Sequence, residues 1–371
     1  MTVNFKGKVF FYCVPTSTPD KNPYPHLIVG LAEGLKSLGI EFYSDINYWQ
    51  LSPEKEEYLF RHNPEVTPDD CDIVILEDNW TTALNRPFPK DLFAPNRKHI
   101  TVYMDAQDGT TTLAWQPEYR QFDFIFRISC NSKLKRPANI HPWSLGLSER
   151  MLRELETIPK FAERKQQLVV NYRETVHNKQ RLRSRARQDL MPAINSLLHV
   201  NTILDTYDNF SREPYHYLQW AQTGRRHSPS YYNSLKESVA CACFAGYFVS
   251  PIPRDLDSFT SRVLGKLIKN IGWKTNRIVD WDSWRLWESM VAGCVAFNPD
   301  FEKYGLVVPV MPENWRHYIG VDFDNIQTTI NRLKDEPEIL EKISCQGRDW
   351  AIEHYSPVPT AIRFLKAIGV S

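Results

Sequence analysis

Apolar runs and stretches of helical spacing alternate through the first 130 positions of the chain. Val9, Phe10, Phe11, Tyr12, Cys13 and Val14 form one continuous β-prone run, the pattern of a strand buried on both faces. Over residues 25–39 the apolar side chains of Leu27, Ile28, Leu31, Leu35 and Leu38 recur at helical spacing instead, and Gly39 supplies a stop. Residues 40–43 read as the next strand. Together these make a β-α-β unit, whose crossover is right-handed and whose sheet is parallel. Further buried strands are predicted at 72–76, 99–104 and 122–127, and the alternation points to a doubly wound α/β domain.

Around 142–147 the pattern breaks into a loop, followed by a charged helical stretch over 148–165, where we place the connection between two domains. A fresh apolar run at 168–172 opens the second half. A basic helix over about 178–190 follows, with strands at 202–204, 238–244 and 294–297, so the second half reads as another α/β domain. The tail over 348–368 is helical apart from a break at Ser356, Pro357, Val358 and Pro359.

Composition narrows the function classes. With 45 Lys and Arg against 44 Asp and Glu, the net charge of +1 provides no global field toward nucleic acid or an anionic membrane. Seven cysteines without a C-x-x-C pair argue against a disulfide framework or a zinc site, and are expected as reduced thiols in a cytoplasmic protein. The apolar run at 9–14 is too short for a secretory core, and no run reaches the roughly 18 apolar residues of a spanning helix, so membrane contact is expected to be peripheral at most. Motifs of serine hydrolases, dinucleotide oxidoreductases and P-loop enzymes are missing. No Asp-x-Asp closes a predicted strand, and no catalytic metal or cofactor is expected.

The richest segment is 279–300. Asp282 or Ser283 can cap a helix whose Trp284, Trp287, Met290 and Val291 form one face, and Gly293 ends it before a strand. Arg285 and Glu288 sit three apart near its N-terminus. A carboxylate there can accept bonds from two ribose hydroxyls, while the arginine and the free N–H groups suit a diphosphate. The same spacing also describes an ordinary surface ion pair on an amphipathic helix.

The run Arg285, Leu286, Trp287, Glu288, Ser289, Met290, Val291, Ala292, Gly293, Cys294 resembles the Arg-x-x-Glu-x-x-x-Ala-Gly-Cys helix of the GT-B glycosyltransferases. That resemblance implies two Rossmann-like domains facing a central cleft: an acceptor domain over 1–150, with a C-terminal helix at about 357–371 packing back on it, and a nucleotide-sugar domain over 166–350. It implies that Glu288 holds the ribose of the donor. Asp280 stands eight residues upstream of Glu288, where retaining members carry a glutamate. More weakly, 231–248 is similar to the stretch leading to the donor phosphates, with Gly246 as the close-approach glycine, and Arg173 falls at the end of the second domain's first strand, a place for donor-phosphate contacts.

Other candidates come from position alone. Asp105 and Asp108 follow a predicted strand at its carboxyl end, where a general base can meet an acceptor hydroxyl, although aspartates there also serve as turn caps. His26, beginning the first helix, is a further base or acceptor contact, or a cap after Pro25. Lys179, Arg181, Arg183, Arg185 and Arg187 can neutralise phosphates, but at a spacing of two they cannot all converge from a helix, and a solvated basic helix explains them equally. Trp115 and Trp143 are candidate acceptor-cleft aromatics. The expected function is metal-independent transfer of a sugar from a nucleotide-sugar donor to the hydroxyl of a glycan, lipid or small molecule, retaining if Asp280 replaces the family glutamate. No nucleic-acid partner is expected. A sugar-nucleotide epimerase or a non-catalytic binding protein on the same scaffold is the alternative.

Overall fold

The computed structural model describes residues 5–14, 25–107, 114, 116–172, 181–203, 212–224, 228–249 and 275–370 of the chain. Its first half is built on a six-stranded parallel sheet. Strand β1 (Val9–Tyr12) lies between β2 (Phe42–Ser44) and β3 (Ile73–Glu77), and β4 (Ile100–Asp105), β5 (Phe124–Arg127) and β6 (Ile140–Pro142) follow in order beyond β3. Alternate residues feed two cores, as the period of a strand requires. Phe11, Ile75, Val102 and Phe126 pack under helix α1 (His26–Ser37), whereas Phe10, Val74, Tyr103 and Ile125 pack against Tyr119 and Phe122 on the other face.

The second half holds a five-stranded parallel sheet in the order β8 (His199–Thr202), β7 (Lys165–Val170), β9 (Ser238–Ala242), β10 (Val295–Pro299), β11 (Ile319–Val321). Helices α2 (Pro229–Lys236), α3 (Trp284–Val291) and α4 (Ile339–Tyr355) pack about it. The last helix, α5 (Pro357–Ala367), returns to the first sheet and lies along α1. Gly34 permits that approach, because a Cβ there would stand 2.1 Å from the carbonyl oxygen of Pro357.

Several expectations shift. The helix expected over 148–165 spans Glu149–Glu154, and a separate 3-10 turn over Phe161–Glu163 leads into β7. The loop expected at 142–147 is preceded by the edge strand β6, which is too short to show a period. A hairpin of Tyr48–Gln50 with Tyr58–Phe60, and β11 with its central Gly320, carried no signal. The break in the tail narrows to Ser356, since Pro357 and Pro359 enter the first turn of α5, where a missing N–H costs nothing. Among the described residues no helix is long and apolar enough to cross a membrane.

The halves are tied by more than chain connections. Cys130–Asn131 pairs antiparallel with Leu306–Val307. The Asn131 side-chain amide donates to the carbonyls of Ile278 (3.1 Å) and Tyr304 (2.9 Å), and the Trp281 indole donates to the Cys130 carbonyl at 3.3 Å. The Asp282 N–H donates to Ser129 Oγ at 3.3 Å. On the other side the Gln222 amide brackets the backbone of Gln50, accepting from its N–H at 2.8 Å and donating to its carbonyl at 3.0 Å.

Candidate active site

A cavity of about 660 Å³ opens between the two sheets. Its first-half walls follow the carboxyl ends of parallel strands, where ligands collect in open α/β sheets, and part of its second-half wall follows the antiparallel strand Ile278–Val279. From the first half come His26 at the start of α1, Glu77, Asp78 and Asn79 after β3, and Gln107 after β4. From the second come Arg181, Arg183, Gly246, Asp280 and the start of α3 with Arg285.

The second wall is cationic. Arg285 Nε donates to the carbonyl of Asn171, just past the end of β7. Arg183 Nε donates to the Phe244 carbonyl at 3.0 Å, and its guanidinium lies 5.2 Å from the centre of the Tyr172 ring. Burial, and then the nearby Arg285 charge, push the Arg183 guanidinium down to about 10. Arg181 joins them because it precedes the helix in extended conformation (φ −78°, ψ 131°), so the helical argument that residues two apart diverge does not reach it. Arg185 leaves the group to bond the Phe323 carbonyl and Asp189.

Gly246 belongs to this wall. Its φ of +72° favours glycine, and a Cβ would stand 2.0 Å from the Val279 carbonyl oxygen and 2.6 Å from that of Asp280. Its own carbonyl accepts the Leu182 N–H at 3.1 Å. Asp280 adopts a φ of 60° and lines the cavity beside it. Contrary to the sequence-based expectation, an Asp-x-Asp does close a strand: Asp280 and Asp282 follow the two-residue strand Ile278–Val279, and both line the cavity. Asp282 is a poor cation ligand, since its oxygens accept bonds from the Leu145 N–H and the Trp287 indole, both at 2.9 Å, and burial lifts its carboxyl to about 7. Among the described residues no group of three or more His, Cys, Asp or Glu is placed to hold a metal ion.

The first wall is acidic. Glu77 and Asp78 are each 2% exposed. Burial raises both carboxyls, and a neighbouring carboxylate adds to it in each case, Asp78 for Glu77 and Asp105 for Asp78. Asn79 donates to Glu77 Oε1 and Gln107 to Asp78 Oδ2. Glu77 Oε2 is buried with no hydrogen-bond partner among the described residues. His26 lines the cavity with its Nε2 3.2 Å from the Gly146 carbonyl.

Other candidates lie elsewhere. Asp105 does not line the cavity: it is fully buried in an ion pair with Arg127 and accepts the Gln107 N–H at 3.0 Å, so its carboxylate is spent inside the sheet. Glu288, one turn beyond Arg285, is also outside the lining, its oxygens accepting the hydroxyls of Tyr231 (3.2 Å) and Tyr232 (3.0 Å) from α2. Trp143 is a core residue, 4.8 Å from the Phe126 ring and under Arg363. Asp108, Trp115 and Arg173 lie outside the described residues.

No family model and no curated protein sequence matches this chain. Among solved structures, an α-glucosyltransferase in complex with UDP-glucose and DNA containing an abasic site superposes with a TM-score of 0.53, at 10% identity over 98% of this chain and 99% of that one. An α-glucosyltransferase with UDP and a 13-mer DNA containing an HMU base gives 0.51 at 11% identity, over 98% and 99%. The protein has the GT-B fold. In GT-B terms, the cavity is the central cleft between two Rossmann-like domains, its cationic wall on the second and its acidic wall on the first.

Proposed function

We propose that the protein is a glycosyltransferase that moves a sugar from a nucleotide-sugar donor to an acceptor hydroxyl without a metal ion. The observation that carries this is the pairing of an arginine wall, half-buried at Arg183 and Arg285 and exposed at Arg181, with a buried carboxyl wall across one cleft of a GT-B molecule. In the reaction the bond from the anomeric carbon to the diphosphate oxygen breaks, its electron pair goes to that oxygen, and the acceptor oxygen bonds to the anomeric carbon. Arg181, Arg183 and Arg285 balance the charge growing on the diphosphate, at little reorganisation cost because Arg183 and Arg285 are already fixed by backbone carbonyls. The acceptor proton passes to the Glu77–Asp78 pair, whose raised affinity for protons suits a base near neutrality. Both superposed structures contain UDP, so a uridine nucleotide is the first donor to try. The ribose role that the sequence resemblance gives Glu288 requires its carboxylate to exchange tyrosine hydroxyls for ribose ones.

Calorimetric titration with UDP, GDP, ADP and dTDP sugars tests the reading. One of them binds, and Arg183→Met or Arg285→Met weakens it about ten- to 150-fold, the worth of a hydrogen bond to a charged group. Turnover persists in excess EDTA. Absence of binding for all four, or affinity indifferent to both arginines, refutes the proposal.

A further inference from the structure

The acidic wall has a feature that its ion balance does not explain. A carboxylate oxygen left in a protein interior without a donor carries an unpaid desolvation cost. Glu77 Oε2 is such an atom, on a side chain 2% exposed that lines the cleft. Its sister oxygen is fixed by Asn79, and Asp78 is fixed by Gln107, which also reaches Thr82 Oγ1 at 3.1 Å. The carboxyls are thus held in place at the cleft wall, with one buried acceptor oxygen left without a donor among the described residues. Among the described residues of the first domain, no Lys or Arg lines the cavity; Arg127 stands behind, occupied by Asp105.

We propose that this wall selects a neutral, hydroxyl-rich acceptor, a sugar or polyol, and excludes anionic ones such as phosphate esters and nucleic acid. An acceptor hydroxyl donates to Glu77 Oε2, once a turn of the side chain brings that buried oxygen to the cleft surface, and supplies the missing donor. With burial favouring a retained proton on the pair, one carboxyl can donate while its neighbour accepts, which matches a hydroxyl group in both senses. A phosphate offers acceptors alone and brings like charge against the ionised member of the pair in a site of low dielectric, a juxtaposition that discriminates by repulsion. The amides of Asn79 and Gln107, which also line the cleft, are already turned onto the carboxyls.

This inference rests on the donor reading above, and the test separates the two. With the protein saturated in UDP, dissociation constants are measured by saturation-transfer NMR for matched pairs, glucose with glucose 6-phosphate and glycerol with glycerol 3-phosphate, and for a short DNA duplex. The neutral member of at least one pair binds about tenfold or more tightly than its phosphate ester, and the duplex does not compete. Glu77→Gln and Asp78→Asn each lower that ratio severalfold while UDP affinity stays within about twofold. Phosphate esters or DNA binding as tightly as the neutral compounds, a ratio unchanged in both variants, or no binding by any member of either pair overturns the proposal. Failure of UDP to bind strikes the donor reading instead, and the pairs are then compared on the protein alone, where the same ratios decide.

Discussion

Replacing Arg127 with methionine exposes what Asp105 does. The two side chains are 3% and 1% exposed and joined directly through Nη1 and Oδ2. In Arg127→Met the carboxylate keeps the Gln107 N–H but loses its counter-ion and still faces Asp78, whose charge already interacts with it. Stripping one partner from a buried pair costs about 3–5 kcal/mol, whereas exchanging both for uncharged groups is often near neutral. At about 2–4 °C per kcal/mol, the single variant loses about 6–20 °C in Tm. Asp105→Asn alone leaves the guanidinium unpaired and is also destabilised, and the double variant Asp105→Asn/Arg127→Met regains most of the loss. The deficit of Arg127→Met is larger at pH 8 than at pH 5, because an aspartate without its cation holds a proton more readily. Urea unfolding followed by tryptophan fluorescence at both pH values measures the cycle, alongside turnover of the donor. If Asp105→Asn is as stable as the parent but inactive, the carboxylate is a reacting group and the structural role is refuted.

Two further outcomes are expected. Gly246→Ala folds but weakens the nucleotide at least about tenfold by calorimetry, since its Cβ must displace the Val279–Asp280 backbone and the left-handed conformation itself costs about 1–2 kcal/mol; unchanged affinity would detach this turn from the donor site. Glu33, buried on α1, has its carboxyl lifted to about 8, well above an unfolded value of roughly 4.3, so the folded state holds a proton that the unfolded chain has released. Its contribution is therefore lost as pH rises from about 4 to about 8, and Glu33→Gln should flatten the decline of the urea midpoint across that range; identical slopes in both proteins refute the assignment.

What was legible in the sequence follows from which interactions are local. The strands β1, β3, β4 and β5 announce themselves as unbroken apolar runs because both sheet faces are covered. The Arg285 helix was legible because its stripe and its Gly293 stop lie within a few positions, whereas the backbone that Gly246 approaches, at Val279 and Asp280, lies far along the chain. The acidic wall was not legible. Asp105 and the Glu77–Asp78 pair carry the same strand-end signal, and what separates them is Arg127, delivered from β5 into a direct ion pair with Asp105. Glu288 is covered by tyrosines 56 and 57 positions away, and that packing has no trace in its own helix. Arg181 and Arg183 were discounted by a helical periodicity that begins one residue after Arg181.

The ribbon between Cys130–Asn131 and Leu306–Val307 bears on how such a molecule can be recombined. The backbone on either side of Asp280 is gripped by the other domain, with Asn131 on Ile278, Cys130 on the Trp281 indole and Ser129 on the Asp282 N–H. The loop at the cleft wall of the second half is thus a joint product of both halves, although its residues are encoded in one. The halves are not interchangeable modules: a chimaera that imports a foreign first domain must carry residues 129–133 along with it, or the loop around Asp280 loses the contacts that set its shape.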